Sequence, residues 1–336
     1  MVPVVDVPVR KKVGLIGARG YVGRELLALL ESDPTLDVAF VSSKGGAGRQ
    51  AGEAIGVGGR FASLLLEDLE PVRAARRCVD EGVDAVVLGL PNGQAAAWVA
   101  GLSAQTAVVD LSADHRFDDG WVYGLVERDR ARLHGAKRIA NPGCYATAAQ
   151  LALWPFADVV ERAHVFGVSG WSGAGTSPSP KNDTQLLADN VLPYDLVNHT
   201  QERELRRHSG LDVRFFPHVA PFFRGITVTV AMDLRASLTK SDAEARLRER
   251  YAHEPLVSIV EGELPPLVSH ARARHGCQLG GVHAHVADRR VVVVACLDNL
   301  LKGAATQALQ NVHLALGLHE RSGIPLGHAA AAGGHP

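Results

Sequence analysis

A cysteine at the start of a predicted helix is the residue of this sequence whose surroundings point most directly to chemistry. Cys144 follows Pro142 and Gly143 in the segment RIANPGCYATAAQLALWPF, and strong helix formers come after it. A helix N-terminus stabilises a thiolate, and its N–H groups can hold the oxyanion of a tetrahedral intermediate. The position therefore suits a covalent nucleophile. An inert buried cysteine fits the motif equally well, whereas no second ligand lies three or four residues on to make a metal site.

His218 is the histidine best placed to exchange a proton with such a nucleophile. It follows the strand-like segment VRFF and a proline, and Arg224 comes six residues later, before the strand-like ITVTVAM. We expect His218 and Arg224 to share a loop, where one moves a proton and the other binds an anion. The sequence holds fifteen histidines, so a structural role for His218 remains the alternative.

Two further polar clusters bear on binding. The segment SGWSGAGTSPSPKND, residues 169–183, is predicted to be irregular, and its N–H groups with Lys181 suit a phosphate or carboxylate. A flexible linker is the alternative. Several histidines and a cysteine cluster later in the chain, but no standard zinc spacing fits them, so no metal is predicted. These residues are His270, His275, Cys277, His283 and His285.

Near the N-terminus, KKVGLIGARGYVGRELLALLESDP predicts a strand, a glycine turn and a helix. The glycines fall at Gly17, Gly20 and Gly23, in the spacing GxxGxxG. Glycines at this point let a pyrophosphate approach the helix N-terminus. A tight strand–helix turn without a ligand is the alternative.

The end of the next strand favours NADP over NAD. NAD-binding folds place an acidic residue there for the ribose hydroxyls. Here the strand DVAFVSS ends in Ser42 and Ser43, followed by Lys44 and Arg49, with no acid. Hydroxyls and cations suit a 2′-phosphate, although Lys44 and Arg49 are equally compatible with solvated loop charges.

Two more apolar runs continue the alternation of strands and helices. Ala85–Leu88 and Ala107–Leu111 are predicted strands, and this alternation predicts a doubly wound, mostly parallel sheet. Ligands bind beyond the carboxyl ends of such strands, which places Pro91, Asn92 and residues 110–116 near a nicotinamide.

Composition sets the broad class of the protein. The 336 residues carry a net charge of −1, so nothing indicates binding to nucleic acid or to a membrane surface. The four cysteines form no CxxC pair and no disulfide framework. The N-terminus MVPVVDVPVRKK does not resemble a signal peptide, and we expect a cytoplasmic protein with a frayed tail, GHAAAAGGHP.

Eight motifs, in this order, resemble those of the N-acetyl-γ-glutamyl-phosphate reductases of arginine biosynthesis, members of the semialdehyde dehydrogenase family. They run from about residue 12 to about residue 318 and are GLIGARGYVG, LGLPNGQA, VVDLSADHRF, YGLVER, NPGCYATAAQLAL, GVSGWSGAGT, PHVAPFFRGI and DNLLKGAATQALQN. The loop departs from the commoner bacterial form, because Thr176 stands where that form has an arginine.

The resemblance implies a reaction and a set of roles. Cys144 attacks the acyl phosphate of N-acetylglutamyl phosphate, phosphate leaves, and NADPH reduces the resulting thioester to a semialdehyde. His218 matches the family's acid/base. Arg224 and Arg116 are candidates for the substrate carboxylate, and Lys181 or the Ser172-Gly173 backbone for the phosphate. The implied cofactor contacts are Gly17, Arg19, Gly20, Tyr21, Val22, Gly23, Ser42, Ser43, Pro91, Asn92, Asn299 and Lys302.

The resemblance also implies the architecture. A Rossmann-type NADP-binding domain, residues 1–143 and 300–336, accompanies an α+β domain, residues 144–299, which carries the catalytic helix and a mostly antiparallel sheet. Similar proteins associate through that sheet, so a homodimer or homotetramer is expected.

Other substrates and one other class of protein remain open. The aminoadipyl analogue is one methylene longer, which an apolar pocket discriminates by only about 1–3 kcal/mol. Two further alternatives are an aspartate-semialdehyde dehydrogenase and a reductase that acts on a succinylated substrate. The alternative from another class is a non-catalytic NADP-binding sensor.

Overall fold

The computed structural model of the protein describes residues 9–326, which form two compact units. The first unit ends at Asn141 and resumes over Gln307–Ile324. The second begins at Pro142 and continues to Thr306. The predicted frayed tail and most of the N-terminal segment lie outside the described residues.

Residues 300–306 belong to the second unit, although the sequence analysis places them in the first. They contain a π-helical turn, Leu301–Ala305, that packs beside the predicted nucleophile. A Cβ added at Gly303 would lie 2.7 Å from the Cβ of Cys144. This close packing explains why the boundary falls later than expected.

A seven-stranded parallel sheet forms the core of the first unit. Its strands are β1 (Lys11–Ile16), β2 (Leu36–Ser42), β3 (Leu66–Glu67), β4 (Ala85–Leu88), β5 (Ala107–Asp110), β6 (Val122–Tyr123) and β7 (Arg138–Ala140). They lie in the order β3-β2-β1-β4-β5-β7-β6, with every neighbouring pair parallel. All residues of β4 and β5 are buried, as in a sheet covered on both faces. The order reverses between β1 and β4, which confirms the doubly wound prediction.

The second unit is built on a mixed seven-stranded sheet. Its strands are β8 (Val160–Gly170), β9 (Leu192–Pro193), β10 (Asp212–Ala220), β11 (Ile226–Leu234), β12 (Val257–Val260), β13 (Cys277–His285) and β14 (Arg290–Leu297). The order is β12-β13-β14-β11-β8-β10-β9. Only the pairs β8–β10 and β12–β13 are parallel, so the prediction of a mostly antiparallel sheet is confirmed.

Eleven α-helices lie within residues 9–326. They are α1 (Tyr21–Glu31), α2 (Ala51–Ile55), α3 (Pro71–Asp80), α4 (Ala95–Gly101), α5 (Val126–Leu133), α6 (Cys144–Leu153), α7 (Thr184–Leu187), α8 (Thr200–Ser209), α9 (Lys240–Tyr251), α10 (Val268–Ala271) and α11 (Thr306–Ala315). None of the helices described is long and apolar enough to cross a membrane.

The two faces of the second sheet differ. α6 packs against β11 and β14 on one face, where the ring of Tyr145 covers Gly167 of β8. α6 is apolar on nearly all sides, which suits its complete burial after the first residue. The opposite face, which we call the open face, exposes Phe166 of β8 and Phe216 of β10.

The segment 169–183 is more regular than predicted. β8 extends to Gly170, and 3-10 turns follow at Trp171–Ala174 and Pro180–Asn182. The second turn begins with a capping box between Ser179 and Asn182. The Ser, Pro and Asn residues that indicate a loop are here the capping residues of short helical turns.

Candidate active site

Cys144 is the first residue of α6, which confirms the predicted position. Gly143 is the N-cap, and its extended backbone (φ −69°, ψ 151°) leads into the helix. Cys144 is half-buried, whereas the other three cysteines are buried. Burial raises the pKa of the Cys78 and Cys296 thiols to about 11, which keeps them protonated and unreactive at neutral pH. Cys144 is thus the thiol with both access and a favourable helix terminus.

Aromatic side chains pack beside Cys144 on the helix-covered face of the sheet. The rings of Tyr145 and Phe215 meet edge to face at 5.0 Å, and His199 lies 5.3 Å from Phe215 and 5.6 Å from Tyr194. Burial, and then the nearby charge of Cys144, raise the pKa of Tyr194 far above its usual value. Both effects keep this phenol neutral.

His199 is a functional candidate that the sequence analysis missed. Its Nδ1 accepts the backbone N–H of Gln201 (3.0 Å), so the neutral ring carries its proton on Nε2. Burial lowers the pKa of His199, because it disfavours the charged imidazolium. His199 is therefore a neutral hydrogen-bond donor. The sequence signal was its position before TQERE, at a helix start, where a histidine is an uncommon cap.

His218 does not lie where the sequence analysis expects it. It belongs to β10 rather than to a loop shared with Arg224, because β10 continues through Pro217. Its ring packs 4.4 Å from Phe166 on the open face, whereas Tyr145 and α6 cover the other face. Only its backbone carbonyl approaches the nucleophile's helix, accepting the Tyr145 hydroxyl at 2.6 Å. The assignment of His218 as the acid/base of Cys144 in the same chain therefore lacks the required geometry.

Arg224 forms a buried ion pair that the sequence analysis did not foresee. Its Nε and Nη2 donate to the two carboxylate oxygens of Asp298 at 2.6 and 3.0 Å. Asp298 is fully buried and also accepts the N–H groups of Ala273 and Leu300. The pairing neutralises most of the charge that a substrate carboxylate would use. Arg224 consequently holds the loop before β11 in place.

Asn299 joins two of the predicted substrate loops. Its Oδ1 accepts the N–H of Gly225 (2.7 Å), and its Nδ2 donates to the hydroxyl of Ser172 (2.9 Å). Gly173 follows in the same 3-10 turn, and Lys302 is fully buried in the π-helical turn. Both ends of the Asn299 amide are therefore engaged within the second unit.

Lys181 lies in the neighbourhood of Tyr194. Its Nζ stands 4.7 Å from the centre of the Tyr194 ring and 3.9 Å from the Asp195 carboxylate. The lysine is partly exposed, and the contact with Asp195 is long for an ion pair. Lys181 can therefore bind an incoming anion.

The glycine turn of the first unit brings backbone segments close together. Gly17 adopts φ 86°, and a Cβ there would lie 2.1 Å from the carbonyl oxygen of Gly89. Gly20 is the N-cap of α1, and residues 21–22 form its first turn. Gly23 packs so closely on the turn that an added Cβ would lie 2.6 Å from the backbone of Ala18. These contacts require glycine at two of the three positions.

The carboxyl end of β2 presents hydroxyls and a cation. Ser42 and Ser43 are buried, and Ser42 Oγ accepts a backbone N–H from the segment after β3. Arg19 is exposed and donates to the carbonyl of Gly45 (3.3 Å). Arg49 instead pairs with Glu53 one turn away, which favours a solvated role for that arginine.

The loops after β4 and β5 are hydrogen-bonded to each other. Pro91 and Asn92 lie between β4 and α4, and Asn92 Oδ1 accepts an N–H from the loop after β5 (2.9 Å). Asp114 in that loop accepts the N–H groups of Gly93 (2.6 Å) and Ala95 (3.0 Å), which caps α4. The two loops therefore form one preformed surface.

Arg116 follows the same loop and is buried. It donates to the carbonyls of Asn141 and Leu111, both at 2.9 Å. These bonds fix the guanidinium within the first unit.

Two family profiles together match most of the chain. The profile described as semialdehyde dehydrogenase, NAD binding domain, matches residues 12–136, and that described as semialdehyde dehydrogenase, dimerisation domain, matches residues 144–299.

Curated relatives and solved structures agree with these matches. The chain is 49% identical over 318 residues to an N-acetyl-gamma-glutamyl-phosphate reductase of Stenotrophomonas maltophilia, covering 93% of the chain and 98% of the relative. It is 47% identical to the reductase of Xylella fastidiosa, covering 93% of each. Aspartate semialdehyde dehydrogenase II of Vibrio cholerae superposes with a TM-score of 0.74 at 19% identity, covering 92% of this chain and 99% of that one. The NADP-bound enzyme of Candida albicans gives 0.72 at 16%, covering 91% and 98%.

Proposed function

The chain belongs to the N-acetyl-gamma-glutamyl-phosphate reductase family, and we propose that it catalyses the NADPH-dependent reductive dephosphorylation of N-acetyl-γ-glutamyl phosphate to N-acetylglutamate 5-semialdehyde. The observation that carries the proposal is an accessible thiol at the N-terminus of α6, in a chain half identical to curated reductases. The product would feed arginine biosynthesis.

Cys144 is the proposed nucleophile. Its thiolate attacks the acyl carbon, the C–O bond to phosphate breaks, inorganic phosphate leaves, and a thioester to Cys144 remains. NADPH supplies a hydride when bound. The resulting hemithioacetal alkoxide collapses with cleavage of its C–S bond, which releases the aldehyde and regenerates the thiolate. The N-terminus of α6 favours the thiolate at the start and at the end of the cycle.

His199 is the proposed hydrogen-bond donor to the reacting oxygen or sulfur. Its Nε2–H is available because Nδ1 accepts the N–H of Gln201, and burial keeps the ring neutral. A neutral imidazole can polarise a carbonyl without carrying a formal charge. His218 lies on the open face of the sheet, so we do not propose it as this donor.

Lys181 is the proposed anion-binding residue of the second unit, for the phosphate or the substrate carboxylate. It lies over Tyr194, within the aromatic group that adjoins Cys144. Ser172 and Gly173 offer backbone N–H groups as a second contact for the same anion. We do not assign Arg116 to this anion, because its guanidinium donates to two backbone carbonyls.

NADP is the proposed cofactor, and the first unit fits it in two ways. The glycine turn leads directly into the N-terminus of α1, whose N–H groups suit a pyrophosphate. Arg19 in the glycine turn and Ser43 just after β2 suit a 2′-phosphate, and residues 42–46 include no acid. Pro91 and Asn92 would contact the cofactor from the loop after β4.

A homodimer formed through the open face is the proposed assembly, in the cytoplasm. The matched profile of this unit is a dimerisation domain, and Phe166 and Phe216 expose 46% and 36% of their surface there. The four free thiols suit a reducing compartment. We expect Phe166→Lys to yield monomers in sedimentation velocity. A Phe166→Lys protein that sediments as the wild type would contradict the proposed interface.

The reverse reaction tests the proposed activity. NADP⁺ reduction is measured with N-acetylglutamate semialdehyde and phosphate, beside the aminoadipate and aspartate semialdehydes, and with Cys144→Ser as control. We expect phosphate-dependent turnover that prefers the glutamyl compound and disappears in the variant. Binding of NADPH without turnover on any of the three would overturn the proposal.

A further inference from the structure

The helix that carries Cys144 has no side-chain cap of its own. The first N–H groups of any helix need acceptors outside it, and an N-cap side chain usually supplies one. Gly143 has no side chain, and no side-chain bond of the N-cap residue is formed.

Two side chains of α8 supply the missing acceptors. Glu204 Oε1 accepts the N–H of Gly143 at 2.8 Å, and Gln201 Oε1 accepts the N–H of Ala146 at 3.0 Å. These two side chains are one turn apart on α8, so they share the face that meets α6. α8 therefore caps α6 from about 60 residues away in sequence, at both sides of Cys144.

Glu204 is the more demanding of the two contacts. Its side chain is completely buried, and a buried carboxylate is stable only where hydrogen bonds replace water. A carboxylate accepting a backbone N–H forms one of the stronger hydrogen bonds in proteins. The same helix also binds the sheet, because Glu202 Oε2 accepts the N–H of Phe215 in β10 at 2.8 Å. α8 thus connects the turn before Cys144 to the strand beneath it.

We infer that Glu204 is a positioning residue for Cys144, assisted by Gln201. It acts by holding the N–H of Gly143, and with it the turn that aims the thiol and the first turn of α6. The inference rests on the proposed function in one respect, namely that Cys144 is the nucleophile.

The test compares Glu204→Gln with Glu204→Met. Both variants remove the charge and keep the side-chain length, but only glutamine retains an acceptor for Gly143. A displacement of about 1 Å can cost about 100-fold in rate. We expect Glu204→Met to lose kcat at least about tenfold relative to Glu204→Gln, with the KM for NADPH unchanged in both. The rate at which iodoacetamide alkylates Cys144 at about pH 7.5 should likewise be lower in Glu204→Met than in Glu204→Gln.

A matched control comes from the first unit. Glu31 Oε1 accepts the N–H of Arg60 at the same 2.8 Å, so Glu31→Met removes a similar bond away from Cys144. It should leave kcat and alkylation as in the wild type. If Glu204→Met does not fold, the wild type against Gln201→Met gives the corresponding comparison at Ala146, with and without a neutral acceptor.

The two readouts separate this inference from the proposed function. Equal kcat and equal alkylation in Glu204→Met and Glu204→Gln would overturn the positioning role. A parallel loss of NADPH affinity in Glu204→Met would also overturn it, because it would mean general disruption. A wild-type protein inactive on all three semialdehydes, but with the alkylation order intact, would sink the function and leave the positioning of Cys144 standing.

Discussion

Asp33 offers the sharpest test of the energetics of the first unit. Its carboxylate is fully buried between α1 and β2 and accepts the N–H and hydroxyl of Thr35, both at 2.7 Å, and the N–H of Leu36 at 3.1 Å. Its second oxygen lies 2.7 Å from Nε2 of His313, which is also fully buried, in α11. One carboxylate therefore connects the C-terminal helix to the start of the sheet.

The pKa of Asp33 gives the magnitude. Burial alone would raise this pKa, but the hydrogen bonds from His313 and Thr35 outweigh it and lower the pKa from 3.8 to about 2. A folded-state pKa of about 2 against an ordinary 3.8 corresponds to roughly 2 kcal/mol of stability. Because the folded-state pKa is the lower one, this stability is present above about pH 4 and is lost as the pH falls towards 2.

Urea unfolding of the wild type and of Asp33→Asn, followed by circular dichroism at one protein concentration, tests the reasoning. The difference in unfolding free energy between the two proteins should be about 1 kcal/mol smaller at pH 3 than at pH 6, since the variant cannot titrate at this position. A difference that stays constant between these pH values would refute the account of Asp33.

Three further substitutions follow from the contacts of single residues. Gly45→Ala places a Cβ 1.9 Å from the Arg19 guanidinium. The KM for NADPH should therefore rise several-fold, whereas the KM for NADH should not change. Equal changes in the two KM values would count against Arg19 as the 2′-phosphate contact. Gly303→Ala places a Cβ against the Cβ of Cys144, so we expect a kcat at least about tenfold lower. An unchanged kcat would contradict the close packing of Gly303 on Cys144. His218→Ala should retain kcat within about threefold, and its inactivity would restore the role that the sequence suggests.

The glycine turn and the nucleophile's helix were predictable because each is specified locally. Gly17 and Gly23 stand where a side chain would strike backbone, and the strand and helix patterns on either side fix the turn between them. Cys144 likewise follows a proline and a glycine and precedes a run of strong helix formers, and the helix begins there. Local steric rules therefore suffice for these two features.

His218 shows where local rules fail. In VRFFPHVA both Phe215 and Phe216 are apolar, so alternation does not reveal which of them faces the core. The proline suggests the end of a strand, yet Pro217 pairs with Gly167 in the middle of the β8–β10 register. The face on which the histidine lies depends on that long-range register.

The partners of the site were out of reach for a different reason. Asp298 neutralises Arg224 from 74 residues away, and Glu204 caps Gly143 from 61 residues away. A charged residue in a helix such as TQERELRRHS looks like part of a solvated face, and only the tertiary fold buries it.

Formation of a thioester at Cys144 is the central claim, and a single-turnover experiment tests it most directly. The enzyme is mixed with NADP⁺ and N-acetylglutamate semialdehyde without phosphate, so that the aldehyde is oxidised but the acyl group cannot be transferred to phosphate. We predict a burst of one NADPH per subunit, with the acyl mass on the peptide that contains Cys144. A burst that persists in Cys144→Ser, or an acyl group on another residue, would contradict the account.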